Sequence, residues 1–188
     1  ISTNWSDYAR KYLAKCLIGI KGQDYSGKIR LFITDNESTD QSLNFLRSQD
    51  RSLTIHRNHK NDGFAKGCND SMRLALTAGY DYIFLVSIHS VLKSDCVSEL
   101  VKAIESDDRI AVAQARMMID AKTINSLGNV THFLGFGYSE GYREQWQDQK
   151  KEISDIFYPS GASMFFRRQA LEAVGLFDEE YWMYNEDQ

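Results

Sequence analysis

The sequence predicts an α/β fold, with a mainly parallel sheet covered by helices on both faces. Three observations carry this prediction. Strand-like and helix-like segments alternate through the first 115 residues, the order that builds parallel sheets. Tyr82-Ile83-Phe84-Leu85-Val86 is an unbroken apolar run of strand length, as in a strand buried on both sides. Polar segments follow three of the strands, at Asp35, at 58–67 and at 87–90. In such a sheet they converge outside the carboxyl ends of the strands, where ligands bind.

The elements follow in order. Residues 1–5 read as the end of a buried strand. Tyr8, Tyr12, Leu13, Cys16, Leu17 and Ile20 recur at spacings of three and four, which predicts a helix from Ser6 that Gly22 ends. Residues 29–34 form a short strand that runs into Asp35. Ser38 with Gln41 fits a capping box for a helix carrying Leu43 and Leu46. Residues 53–57 are the next strand, and 58–67 a loop containing Gly63 and Gly67. A helix with Cys68, Met72, Ala75 and Leu76 on one face follows, stopped by Gly79. Ser94 and Asp95 are placed to cap a helix whose stripe is Val97, Leu100, Val101 and Ile104. Residues 110–115 are a further strand. Residues 120–155 lose all periodicity and are expected to be irregular, a kind of stretch that is usually functional or mobile. Order returns at Ile156, and 161–168 reads as a strand turning into a helix.

Composition narrows the function classes. At 188 residues, 43% apolar and 26% charged, the chain suits one globular domain. A formal net charge of -4 gives no basic footprint and argues against a nucleic-acid partner. Cys16, Cys68 and Cys96 are scattered, without a CxxC pair. That argues against a disulfide framework or a zinc site and for a reducing compartment. No 18-residue apolar run or signal-peptide pattern occurs. Ile1 and Gln188 read as cut ends, so a piece of a longer protein is expected. The chain closes on Tyr181, Trp182 and Tyr184, then Glu186-Asp187. A carboxylate pair beside an aromatic patch can supply a general base, although a solvated acidic tail has the same composition.

Several motifs together resemble one family. Asp35-Asn36-Glu37-Ser38-Thr39-Asp40 is similar to the D-N-x-S-x-D segment of family 2 glycosyltransferases with the GT-A fold. Asn61 to Asn69 resembles their N-x-G-F-A-x-G-x-N loop. Gly161-Ala162, Arg167-Arg168 and Gly175-Leu176-Phe177-Asp178-Glu179 resemble their G-A, R-R and G-x-F-D-E stretch, and Tyr184-Asn185-Glu186-Asp187 their Y-x-E-D. Rhamnosyltransferase-like enzymes of bacterial surface polysaccharides are the most similar subgroup.

The resemblance implies transfer of a sugar, with inversion, from a nucleotide-diphosphate donor to an acceptor hydroxyl. It implies a donor of uridine or thymidine type and a glycan or lipid-linked glycan acceptor. It also implies a cytoplasmic location at the inner face of a membrane, with peripheral association through parts outside this sequence. Asp187 would be the catalytic base, with Glu186 orienting it or binding acceptor. Asp35 would contact the nucleotide base or ribose, with Thr3 and Asn4 lining the same pocket. Asn61, Gly63, Phe64 and Gly67 would pass close to the donor, and Ser87 and His89 would face its diphosphate. Gly161, Trp182 and Tyr184 would lie on the acceptor side. The other reading is a degenerate domain that binds a sugar nucleotide or glycan without turnover.

One departure separates this chain from that pattern. Ser87-Ile88-His89 stands where the family has N-P-D or D-x-D. The resemblance implies magnesium or manganese there, and such hard cations prefer carboxylate oxygens. With His89 in that place, metal use is put in doubt. Either the imidazole is a nitrogen ligand to an ion held mainly by the donor phosphates, or a protonated His89 hydrogen-bonds a phosphate oxygen itself.

Overall fold

The computed structural model describes residues 9–39, 41–51, 53–146 and 153–187. Thr3 and Asn4 lie outside them. The chain is α/β, as its alternation predicts. A π-helical turn, Ala9–Leu13, runs into α1, Ala14–Lys21. Leu13 and Leu17 on its inner face pack with Leu46 of the second helix, α2 (Ser42–Gln49), and with Leu31, Ile33, Leu53 and Ile55. This cluster covers the strands β1 (Phe32–Asp35) and β2 (Thr54–Arg57), which pair in parallel with Asp35 opposite Arg57.

The capping box expected at Ser38 and Gln41 does not form. The helix starts at Ser42 without a side-chain cap, and the Ser38 N–H is taken by the Asp35 carboxylate at 3.2 Å. Aspartate competes well for nearby backbone donors, and here it closes a turn before the helix begins. The next helix, α3 (Gly63–Thr77), starts earlier than expected, so Gly63, Phe64 and Gly67 are helical and the loop stops at Asp62. Its first N–H groups find partners elsewhere. Asn61 Oδ1 accepts from Gly63 N at 3.1 Å, and the distant Trp182 carbonyl accepts from Phe64 N at 2.6 Å. A helix can start wherever its orphan donors are satisfied.

Strand β3 (Tyr82–Val86) is covered on both faces, as its apolar run predicts. Ile83 and Leu85 pack with Met72, Ala75 and Leu171, while Tyr82 and Phe84 pack with Leu100, Ile104 and Phe165. The expectation of a mainly parallel sheet needs correction at this point. Strand β9 (Ser163–Arg167) returns from late in the chain and lies between β3 and β4 (Val112–Ala113), antiparallel to both. β3 and β4, each antiparallel to β9, still run in the same direction, as a βαβ unit requires. Their shared edge is filled by β9, whose Phe165 and Phe166 serve the two opposite cores.

Two smaller corrections concern caps and loops. Asp95 occupies the N-cap of α4 (Cys96–Glu105) but makes no side-chain cap bond. Gln23 does that work, with Oε1 accepting from Val97 N at 2.9 Å and Nε2 donating to Lys93 O at 2.7 Å. The stretch expected to be irregular holds three short strands: β6 (Ile124–Ser126), antiparallel to β5 (Met117–Met118) just before the stretch, and the antiparallel pair β7 (Asn129–Thr131) and β8 (Gly137–Ser139). Strands of two or three residues are too short to show a period of two. β9 passes directly into α5 (Arg168–Val174), as predicted.

Candidate active site

The site forms where the ends of β1, β2 and β3 meet the start of α3. Asp35 closes β1 with its side chain 5% exposed. Its Oδ1 accepts from Ser38 N, and its Oδ2 lies 3.3 Å from Arg57 Nε without a hydrogen-bond partner. A buried carboxylate oxygen in that state is available to an outside N–H or O–H donor.

Next to Asp35 runs a set of polar contacts that sequence reasoning did not assign, and it extends to His56, which meets Asn58 Oδ1 at 3.0 Å, and to Arg73, which meets Asp70 Oδ1 at 3.3 Å. Asn36 Nδ2 donates to Gly63 O at 2.8 Å. Asn58, at the end of β2, donates through Nδ2 to Asn36 Oδ1 at 2.8 Å and to Asp70 Oδ2 at 3.0 Å. Lys66 Nζ reaches both Asp70 oxygens at 2.8 and 3.0 Å. Burial pulls the Asp70 carboxyl upward, but the bonds from Lys66 and Asn58 outweigh it and hold it below the usual carboxylate range. The Asp70 bond in turn raises Lys66. Asn36 and Asn69 belong to the motifs quoted above. Their signal was an amide within a motif, Asn36 in an expected turn and Asn69 in the expected helix, and the sequence does not say which backbone groups each serves.

Gly63 and Gly67 allow these elements to approach. A Cβ at Gly67 would lie 2.9 Å from Asn36 Nδ2. Gly63 has φ of 89°, and a Cβ there would lie 2.3 Å from Trp182 O. Trp182 is therefore packed against the start of α3, while Tyr184 stands 75% exposed. The Phe64 ring reaches the other way, to Gly161, where a Cβ would meet it at 3.1 Å.

Gly161 is the meeting point of the site. It precedes β9, one residue before Ala162, whose carbonyl accepts from Ser87 N at 3.1 Å. Its own N–H donates to Asp187 Oδ2 at 2.9 Å. The last carboxylate of the motif is thus held at the end of the β3–β9 ladder, beside Ser87. Glu186 points inward. Its Oε2 is buried without a hydrogen-bond partner. Burial, with Asp187 adding to it, holds the Glu186 carboxyl above the usual range. Burial also pushes the Cys68 thiol up to about 12, with Glu186 adding to it, which makes that sulfur an inert core group.

The structure therefore brings together Gly63, Phe64, Gly161, Trp182, Glu186 and Asp187, with Ser87 joined to the same ladder end through Ala162 O and His89 held by Ser87 on the side of Tyr12. Asp35 and Gly67 connect through Asn36. Asn61 serves the helix start. At the Ser87–His89 end, Ser87 Oγ bonds the His89 ring, 2.9 Å from Nδ1, and Tyr12 approaches that ring edge-on at 6.4 Å. A serine hydroxyl and an imidazole make a poor donor set for magnesium or manganese. Among the described residues, no three His, Cys, Asp or Glu side chains gather as a metal would require. The protein groups at this position do not fit a hard divalent cation.

Comparisons with known proteins place this geometry. A family model described as glycosyl transferase family 2 matches residues 8–175. No curated protein matches the chain. Among solved structures, TarS of S. aureus in complex with UDP is similar at 14% identity and a TM-score of 0.63, over 95% of this chain and 49% of that one. The mannosyltransferase PcManGT from Pyrobaculum calidifontis, in complex with GDP-Man and Mn2+, is similar at 17% identity and a TM-score of 0.60, over 90% of this chain and 44% of that one. GalNAc-T7 with UDP, GalNAc and Mn2+ is similar at 13% identity and a TM-score of 0.65, over 94% and 36%. The chain thus spans about half or less of the length of these structures, and at such identities they establish the GT-A fold.

Proposed function

The chain belongs to glycosyl transferase family 2, and from that premise we propose that it carries the donor site and the base of an inverting transfer. A sugar moves from a nucleoside diphosphate to an acceptor hydroxyl. The observation that carries this reading is the placement of Asp187. Its Oδ2 is fixed on Gly161 N at the end of the β3–β9 ladder, one residue before the Ala162 carbonyl that takes Ser87 N, while the Phe64 ring packs on the same glycine from the start of α3.

In this reading Asp35 Oδ2 accepts from an imide N–H or ribose hydroxyl of the nucleotide. That favours uridine or thymidine donors. Asp187 uses its second oxygen to take the acceptor's proton as that hydroxyl oxygen attacks the anomeric carbon, from the side opposite the departing diphosphate. Glu186, buried behind Asp187, orients the base or binds the acceptor. His89 and Ser87 offer hydrogen bonds to the leaving diphosphate. Tyr184 offers an exposed face to an acceptor sugar. A rhamnosyltransferase-like role in surface polysaccharide synthesis, at the inner face of a membrane, is the biological setting this reading favours.

The carboxylate-free Ser87–His89 end supports a second reading, binding without turnover. One experiment separates the two. The full-length protein is screened by thermal shift against uridine, thymidine and guanosine diphosphate sugars, since a ligand of the folded state raises Tm. Those that bind are then tested for transfer, with anomeric configuration read by NMR. Inverted product supports the enzyme. Binding with neither transfer nor hydrolysis supports the degenerate domain, and retained configuration removes Asp187 from the role of base.

A further inference from the structure

Asn69 is fully buried, and its hydrogen bonds go to one segment more than a hundred residues away. Nδ2 donates to Phe177 O at 2.8 Å and to Glu179 Oε1 at 3.0 Å, while Oδ1 accepts from Phe177 N at 3.0 Å. Arg73, one turn further along α3, holds Glu179 at 2.7 Å. At the start of the same helix, Phe64 N and Ala65 N donate to Trp182 O. Helix α3 therefore grips residues 177–182 at two heights, and Gly161 holds Asp187 at the far end.

Between these grips the backbone is strained. Trp182, Tyr184 and Asn185 have φ of 44°, 72° and 64°. Non-glycine residues keep such angles only where their surroundings over-determine them. The short 3₁₀ turn Glu179–Tyr181 is too small to impose them alone. We infer that Asn69 is a positioning residue for Glu186–Asp187: by fixing Phe177 and Glu179 on α3, it sets where the strained segment delivers the two carboxylates. The inference rests on the reading of Asp187 as base, but Asn69 itself reaches neither donor nor acceptor.

Two measurements on the full-length protein test it. The first is hydrogen exchange, which reports local opening. In Asn69→Ala the Gly161 amide and residues 178–187 should exchange faster, with β1 and β3 unchanged. Arg73→Ala, at a half-exposed position, should do the same to a smaller degree. Unchanged protection at Gly161, or a rise spread over β1 and β3, overturns the inference. The second is kinetic. Asn69→Ala should lower kcat about 10- to 100-fold, as a small misplacement of a reacting group does. The Kd for uridine diphosphate should stay within about 2-fold, because the strand-end cradle is left intact. In the Asp187→Asn background, Asn69→Ala should cause no further loss, since both act through one carboxylate. Independent, multiplying losses mean a merely structural role. If Asp187→Asn keeps full turnover, the base assignment fails by itself, and Gly161 protection still decides whether Asn69 places the carboxylates.

Discussion

In the cradle under Asp35, Asn36, Asn58, Asp70 and Lys66 are joined by hydrogen bonds, and they tie the end of β2 and the segment after β1 to α3. In the segment from Phe177 to Asp187, three non-glycine residues carry positive φ, Tyr184 is exposed, and Glu186 Oε2 is buried without a partner. The first region resembles a socket built before its ligand arrives. The second resembles an arm held at a few points under strain. A preorganised socket suits tight binding of a constant group. A strained arm suits placing a reactive group, where the cost of the conformation is part of the mechanism.

If that contrast is right, changes in the two regions should separate cleanly between turnover and binding. The largest effect is expected on the arm. Asp187→Asn should lower kcat by roughly 10²- to 10⁴-fold while leaving nucleotide affinity nearly unchanged, as steady-state kinetics with parallel calorimetry would read. Loss of affinity with turnover retained would exchange the roles of the two regions.

Gly63→Ala comes next, because it strikes the point where arm and socket touch. The left-handed backbone alone costs roughly 1 to 3 kcal/mol for an alanine, and the new Cβ would also collide with Trp182 O. Chemical denaturation should show that loss of stability, and both affinity and turnover should fall. A variant of native stability would mean that Trp182 does not rest on α3 in solution.

Asp35→Ala should act on the socket alone. Leaving a bound donor group unpaired weakens nucleotide binding by roughly 1 to 3 kcal/mol, with kcat at saturating donor little changed. Unchanged affinity by calorimetry would remove Asp35 from the donor site.

The smallest effect concerns Glu186. Burial holds its carboxyl above the usual range, so the charged form costs the folded state stability. The folded state binds the proton more tightly than the unfolded state. The cost is therefore absent below the unfolded pKa of about 4.3, grows as pH rises toward the folded value, and is complete above it. Glu186→Gln resembles the protonated form. It should raise Tm at pH 7 by about 1 to 2 °C, with the gain vanishing below about pH 4. An equal gain at both pH values would assign it to packing.

Much of this arrangement was legible in the chain. The apolar run at Tyr82–Val86 made β3, whose alternate residues face two cores. The spacing of Leu13, Leu17 and Leu46 made the helices that cover β1 and β2. The motif residues Asp35, Gly63, Phe64, Gly161, Glu186 and Asp187 named most of the site. These are local signals, set by the period of a strand or helix and by residue type. Only the tertiary structure decided who satisfies whom. It placed β9 between β3 and β4, started α3 on a carbonyl from Trp182, capped α4 with Gln23, and tied Asn69 to Phe177. Each of these turns on a backbone N–H or C=O that had to find a partner once it was buried. The nearest partner came from a part of the chain far away in sequence, and no local pattern records that distance.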